Sequence, residues 1–257
     1  LIKLYGLNMI PWSWFKLSLG VIFLNLTGLI TPLVVTAQSP LETNSIIFNQ
    51  PTVSDDRGNP PNSESSASRD PCPNLPLGLT PLTPVTPDNS IPWGYTRKSH
   101  PSFWFYSPYS PDWVENVKLS LRTWDEEEKR EIIVYESDIR YTASGIMQIA
   151  LPPDAPPLTP DTWYKAYLFV EVYCTETSPL SRDSSQFLVL RKPSPPLPTN
   201  TPLPEKARIF ARQGYWFDAL NAVAASNQSG DWEQLLEEGG LGEFSEFPRE
   251  DCCTSEN

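Results

Sequence analysis

Between residues 103 and 191 oily and watery side chains alternate with a period of two, the rhythm of half-buried β-strands. In "VKLSLRTW", Val117, Leu119, Leu121 and Thr123 share one face while Lys118, Ser120 and Arg122 share the other. "EIIVYES" follows after "DEEEKR", read as a solvated turn between two antiparallel strands. "GIMQIALP" puts Met147, Ile149 and Leu151 on one side, and "PPDAPPLTPD" stops that strand. The longest run is "WYKAYLFVEVYC". There Tyr164, Ala166, Leu168, Val170, Val172 and Cys174 form a core face, opposite Trp163, Lys165, Tyr167, Phe169, Glu171 and Tyr173. "QFLVLRK" supplies a further strand. Six or seven short strands without helical crossovers predict an immunoglobulin-like antiparallel β-sandwich over 71–192. Its first part, 71–92, carries seven prolines, which forbid helix and suit an extended edge.

After the Pro-rich spacer 193–204 the period becomes helical. "PEKARIFARQG" starts at Pro204 and Glu205 and stops at Gly214; "YWFDALNAVAAS" and "GDWEQLLEEGGLG" follow, the last with Asp231 as the expected N-cap. Ala207, Ala211, Gly214 and Ala219 supply the small residues that close helix packing needs. The expectation over 205–247 is a tetratricopeptide-like helical hairpin plus a third helix, making the fold class α+β. A Cys-containing tail, 248–257, closes the chain.

The first 37 residues change the picture of compartment. They hold Lys3 and Lys16, no acid, and an apolar run from Leu17 to Val35 before "TAQSP". That pattern predicts a secretory signal peptide cut after Ala37. The alternative is an uncut membrane anchor, which Asn25, Thr27, Gly28 and Pro32 weaken. Residues 38–70, rich in Ser, Asn, Pro and Asp, read as a disordered linker. The chain carries 31 acidic against 19 basic residues, so nucleic acid is excluded as a partner, and any membrane contact falls to the signal segment alone.

Four cysteines in an exported chain point to disulfides. Cys174, at a strand end, is expected to pair with Cys72 or with Cys252 or Cys253 of the tail, because joining the neighbours Cys252 and Cys253 would strain a short ring. No C-x-x-C pair is present, so neither zinc nor thioredoxin-type chemistry is expected. The one histidine, His100, sits between Ser99 and Pro101, and there is no G-x-S-x-G, H-E-x-x-H, P-loop or G-x-G-x-x-G motif. No metal, cofactor or catalytic residue is assigned; paired carboxylates for glycoside cleavage have no distinctive spacing here.

The aromatics are the remaining chemistry. "FWFYSPY" sends Phe103 and Phe105 to one side of a strand and Trp104 and Tyr106 to the other, while Trp163, Tyr167, Phe169 and Tyr173 line the outer side of the long strand. An exposed patch of that size marks an interaction surface. Two covers compete: the chain's own Tyr215, Trp216 and Phe217, or a sugar or peptide ligand stacked on the rings. The reading favours internal packing.

"LPLGLT" (75–80), "FWFYSPY" (103–109), "YLFVEVYC" (167–174), "ARQGYWFDALNAVA" (211–224), "DWEQLLEEGGL" (231–241) and the closing "CC" together resemble an exported cyanobacterial family catalogued as domain of unknown function 928. The likeness spans about 72–253. It departs at "QFLVLRK", where the family pattern has a Gly-Trp strand ending in Arg. The resemblance implies export and layout, and brings no activity with it.

The expected function is that of a non-enzymatic, extracytoplasmic module, periplasmic or secreted, for contacts with an envelope protein. Trp216, Trp232 and the acidic Glu233, Glu237 and Glu238 of the helical part are its candidate contacts. The alternative is a carbohydrate-binding or glycoside-cleaving protein that uses Trp104, Tyr106, Trp163 and Tyr167.

Overall fold

Alternation becomes two sheets. The computed structural model describes residues 45–52, 72, 75–85, 91–226, 228–250 and 253–255, all within the unit Thr43–Asn257. The segment 1–37, expected as an export signal, most of 38–70, expected as a linker, and Cys252 lie outside the described residues. Among those described, β1 (Thr80–Pro81), β3 (Ser102–Ser107), β6 (Gly145–Ala150) and β9 (Arg249–Glu250) form a four-stranded sheet in the order β1-β3-β6-β9. β2 (Trp93–Thr96), β4 (Val114–Asp125), β5 (Arg130–Arg140), β7 (Trp163–Tyr173), β8 (Leu180–Arg191) and β10 (Thr254–Ser255) form the other, in the order β10-β5-β4-β7-β8-β2. Three helices follow the long strands: α1 (Leu203–Arg212), α2 (Trp216–Ala225) and α3 (Ser229–Glu238). The fold is thus mixed α and β, with two multi-stranded sheets and three helices.

Register explains why the predicted core face is the core. β4 and β7 pair antiparallel with Leu119 opposite Leu168 and Leu121 opposite Ala166, and all four side chains are buried. Phe103 and Phe105 of the four-stranded sheet meet Phe187 of β8 at ring distances of 5.0 and 5.8 Å, so apolar faces of both sheets share one core. The "DEEEKR" stretch is a turn: the Asp125 carboxylate accepts the backbone N–H groups of Glu127 (2.8 Å) and Glu128 (2.9 Å). One disulfide joins Cys72 to Cys174 at the end of β7, with a Cα separation of 5.1 Å, which resolves the Cys174 alternatives in favour of Cys72. Cys253 is buried and disulfide-bonded as well, so its sulfur is also oxidised.

Four sequence expectations need correction. Not every ladder is antiparallel: β2 runs parallel to β8, and β9 runs parallel to β6. β8 begins at Leu180, six residues before "QFLVLRK", because Asp183 and Ser185 occupy inward positions where an apolar residue would have announced a strand. Asp183 is satisfied there by the Tyr109 hydroxyl, which donates to it at 2.6 Å. Residues 45–52, expected as disordered linker, instead pack on the helices. Ile46 and Phe48 are buried, their N–H groups donate to the Gln234 side chain (3.0 Å) and the Glu238 carboxylate (3.2 Å), and the Asn49 N–H donates to the Ala211 carbonyl. Finally, the residue before α3 is Gln228, whose side chain makes no capping bond, and Asp231 lies in the first turn, buried and 4.0 Å from the Arg208 guanidinium.

Helix ends obey local chemistry. Gly214 follows α1 with φ of 79°, its N–H bonding to the Ala211 carbonyl and that of Tyr215 to the Phe210 carbonyl at 2.9 Å. These are the two bonds of a Schellman stop, which requires a left-handed residue at that place. At the end of α3 the demand is space: a Cβ on Gly239 would stand 2.3 Å from the Trp216 ring.

Candidate binding surfaces

The two aromatic faces singled out by the alternation end up in different surroundings. Trp104 and Tyr106 point away from the sheet core, as their alternation demands, but the C-terminal segment covers them. Trp104 is 7% exposed; its indole N–H donates to the Asn221 side-chain oxygen at 3.0 Å, and its ring meets Trp232 edge-on at 5.4 Å. Tyr106, 4% exposed, packs on Phe247 at 4.5 Å and Phe244 at 5.2 Å, and burial pushes its phenol pKa above the ordinary value. Both are therefore packing residues, buried against the chain's own C-terminal segment.

The candidate contacts on the helices share that outcome. Trp216 is fully buried, donates its indole N–H to the Leu82 carbonyl at 2.8 Å and meets Phe48 edge-on at 4.9 Å. Trp232 is buried between Trp104 and the Arg249 guanidinium, which lies 4.9 Å from its ring. Of that candidate set, Glu233, Glu237 and Glu238 stay exposed.

Two residues of α2 that the sequence pattern did not single out hold this docking together. Asn221 accepts from Trp104 and from the Gln148 amide (2.6 Å), and donates to the Ser102 carbonyl (3.1 Å). Asp218, buried in the first turn, accepts from the Thr96 hydroxyl (3.0 Å) and the Arg97 N–H (2.9 Å). Desolvation raises its carboxyl pKa, against the lowering effect of those two bonds and of Lys98 and Arg97. A polar residue in a run such as "WFDALNAVAA" is the signal that locates both, since a helix buried on most sides tolerates polar groups only where partners await them.

The outer face of the six-stranded sheet contrasts with this. Trp163, Lys165, Tyr167 and Phe169 follow one another along one side of β7. Tyr167 and Phe169 are half-buried, nearly parallel (6°) and 5.6 Å apart. Arg122 of β4 lies over both rings, at 4.8 and 5.9 Å, and the Lys165 ammonium is 5.1 Å from the Tyr167 ring. Glu131 of β5 ties the group: it accepts from Lys165 (3.4 Å) and the Tyr167 hydroxyl (3.2 Å), with Arg122 at 3.9 Å. Burial raises the Tyr167 phenol pKa. Trp163 belongs to a neighbouring cluster, edge-on to Trp93 at 5.9 Å and tilted against Tyr95 at 6.3 Å. The acids of this face are all matched by cations: Glu136 and Asp138 by Lys118 at 3.1 and 3.9 Å, and Glu171 by Arg182. An acidic chain thus presents here an aromatic face with its charge neutralised internally.

His100 is held by hydrogen bonds from both ring nitrogens. Half-buried, its Nε2 bonds the Ala155 carbonyl at 2.9 Å and its Nδ1 the Ser99 hydroxyl at 3.1 Å. The Nε2 bond fixes the tautomer, with Nε2 protonated and Nδ1 accepting. The ring therefore ties the loop before β3 to the segment after β6, and its far nitrogen faces a carbonyl where a catalytic dyad would need a carboxylate.

No curated protein matches the chain. A family model described as "Domain of Unknown Function (DUF928)" matches residues 64–249, well over half of the sequence and the whole span from the Cys72 region to the start of β9. With the two sheets, the three helices and the Cys72–Cys174 bridge falling essentially inside that span, the chain belongs to the domain of unknown function 928 family.

Proposed function

We propose that this protein is a non-enzymatic protein-interaction module of the cell envelope. In this reading it is an immunoglobulin-like β-sandwich, with a tetratricopeptide-like helical unit docked on one side, and it makes contacts through the outer face of its six-stranded sheet. One observation carries the reading: the helices bury their own tryptophans and Trp104 of the four-stranded sheet, while Tyr167, Phe169 and Arg122 stay half-exposed on a face whose charges are internally paired. Such a face loses little by desolvation when a partner covers it, because its charged groups keep their hydrogen bonds. Location outside the cytoplasm is part of the proposal, supported by the Cys72–Cys174 bridge, since such bonds persist in oxidising compartments.

The experiment is affinity capture from an envelope fraction with wild type, Tyr167→Ala/Phe169→Ala and Glu237→Lys proteins. The proposal expects a retained species that the double variant loses and Glu237→Lys keeps. Loss with Glu237→Lys and retention by the double variant would return the contact to the helices.

The carbohydrate reading keeps one supporting feature, the coplanar pair Tyr167 and Phe169 beside Lys165. Against it stands Arg122, which already occupies a face of both rings. A glycan array with the same proteins separates the two: binding abolished by Tyr167→Ala/Phe169→Ala favours a sugar.

A further inference from the structure

We infer that the C-terminal helices form a receptor groove for an extended peptide, and that the chain's own residues 45–52 fill it in place of a partner's segment. The ligand class is a stretch of another polypeptide with apolar side chains at two alternate positions, followed by an amide and a proline. This site is separate from the sheet face proposed above and stands or falls without it.

Spacing makes the groove a reader of extended backbone. Gln234 and Glu238 stand one turn apart on α3, a rise of about 6 Å. Alternate residues of an extended chain advance by nearly the same distance, about 6.6 Å. The two side chains accordingly accept the N–H groups of Ile46 (3.0 Å) and Phe48 (3.2 Å). Ile47 between them turns outward, 44% exposed, while Ile46 and Phe48 are buried. The other wall is the junction of α1 and α2. Asn49 donates its backbone N–H to the Ala211 carbonyl (3.1 Å) and its side-chain amide to the Arg212 carbonyl (2.9 Å), acceptors of a last turn that the helix's own ladder does not reach. Phe48 meets the Trp216 ring edge-on at 4.9 Å, and Pro51 lies on Gly214, where a Cβ would stand 2.4 Å from its ring. Residues 45–52 join no strand ladder. Recognition therefore uses side chains and a helix end of the receptor, and it constrains the occupant's sequence only at the two apolar residues, the amide and the proline.

The occupant is replaceable on two grounds. The family match over 64–249 takes in every groove residue named, from Ala211 to Glu238, and leaves 45–52 outside it. The groove thus belongs to the shared domain and its present occupant does not. Charge then limits what else can enter: the Glu238 carboxylate and the α1 carbonyls present acceptors only, and Ser45–Thr52 carries no charge in a chain of net charge −12. A partner segment must likewise lack acidic residues. Because the present occupant is tethered, its effective concentration is on the order of millimolar, and it masks the groove from free peptide until it is displaced.

Fluorescence anisotropy with a labelled synthetic peptide of residues 45–52 is the test, on the full oxidised chain as wild type and as Ile46→Asp/Phe48→Asp. The inference expects the variant to bind the peptide at least tenfold more tightly than wild type, since the tethered competitor is gone. Adding Gln234→Ala/Glu238→Ala to that variant should abolish binding, and an Ile46→Ser/Phe48→Ser peptide should bind neither protein. Equal binding by wild type and variant, or none by a variant whose circular dichroism matches wild type, overturns the inference. Hydrogen exchange of the wild type guards against a variant that fails to fold: the Ile46 and Phe48 amides should exchange roughly a hundredfold faster than those of Leu119 and Leu168. Equal protection would make the segment a fixed part of the core and overturns the inference. A wild-type dimer that Phe48→Asp dissociates would give the groove to a second copy's segment, and overturns it as well.

Discussion

Trp104 and Tyr167 carry the same sequence signature, a ring at an outward position of an alternating strand, and they meet opposite fates. Trp104 lies beneath Trp232 with its N–H satisfied by Asn221; Tyr167 stays half-exposed under an arginine of its own sheet. The difference lies in whether a helix finds an anchor beside the strand. α2 docks on β2 through Asp218, which accepts from the Thr96 hydroxyl and the Arg97 N–H, and this brings Asn221 over β3 and Trp216 against Leu82. Among the described residues, nothing comparable anchors a helix over the outer face of β7. An outward aromatic residue is thus core or contact according to which polar anchors a helix finds nearby.

The sharpest way to break this comparison is truncation on each side. Trp216→Ala should lower unfolding free energy by about 3–5 kcal/mol, as large buried aromatics do, whereas Tyr167→Ala should stay within about 1 kcal/mol; chemical denaturation of both measures the gap. Equal losses would mean that the two faces are packed alike. Next in size, Cys72→Ser should cost about 2–4 kcal/mol, since the bridge closes a loop of 102 residues. Non-reducing peptide mapping checks the pairing and melting checks the cost. Gly239→Ala follows, at about 1–3 kcal/mol, because its Cβ would strike the Trp216 ring unless α3 shifts; near-UV circular dichroism should register the displaced indole.

A pH series sharpens the anchoring argument. The Asp218 carboxyl has a folded pKa raised above 3.8, chiefly by burial. Between 3.8 and that raised value the folded protein holds a proton that the unfolded chain has released. Asp218 therefore makes the fold less stable as pH rises through that window, and its contribution is level above it. Asp218→Asn keeps an acceptor for Thr96 and Arg97 and removes the titration. The stability difference between variant and wild type should move in the variant's favour as pH rises through the window, measured by melting from about pH 3 to 7. A constant difference would mean that the carboxyl titrates as if exposed. The smallest effect belongs to Arg122→Ala, where loss of the ring contacts should cost about 0.5–1 kcal/mol.

How much of this was legible depends on where information is local. β4 and β7 could be read because their inward residues are nearly all apolar, while the outward ones are largely polar on β4 and aromatic with charges set among them on β7. β8 could be read only from Gln186 onward, since Asp183 and Ser185 point inward, and the Asp183 carboxylate finds its partner in a tyrosine distant in sequence. "WGYT" gave no strand signal at all, being apolar on both sides; Gly94 turns toward Phe217 of α2 while Trp93 and Tyr95 pack with Leu190 and Trp163. The helices announced themselves by period and by their terminal glycines, yet their amphipathic faces did not say which sheet they would meet. That choice rests on Asp218 and Asn221, two polar residues whose partners on β2 and β3 lie more than a hundred positions away. The ligand candidates split accordingly: Trp104 and Tyr106 went to the interior, and Trp163 and Tyr167 remained at a surface.

Hydroxyl-radical footprinting with residue-level mass spectrometry tests the central claim most directly, once rates are corrected for intrinsic reactivity. The account predicts that Tyr167, Phe169, Tyr173 and Ile133 are modified readily while Trp104, Tyr106, Trp216 and Trp232 are protected. Trp104 and Trp232 reacting as fast as Tyr167 would contradict it.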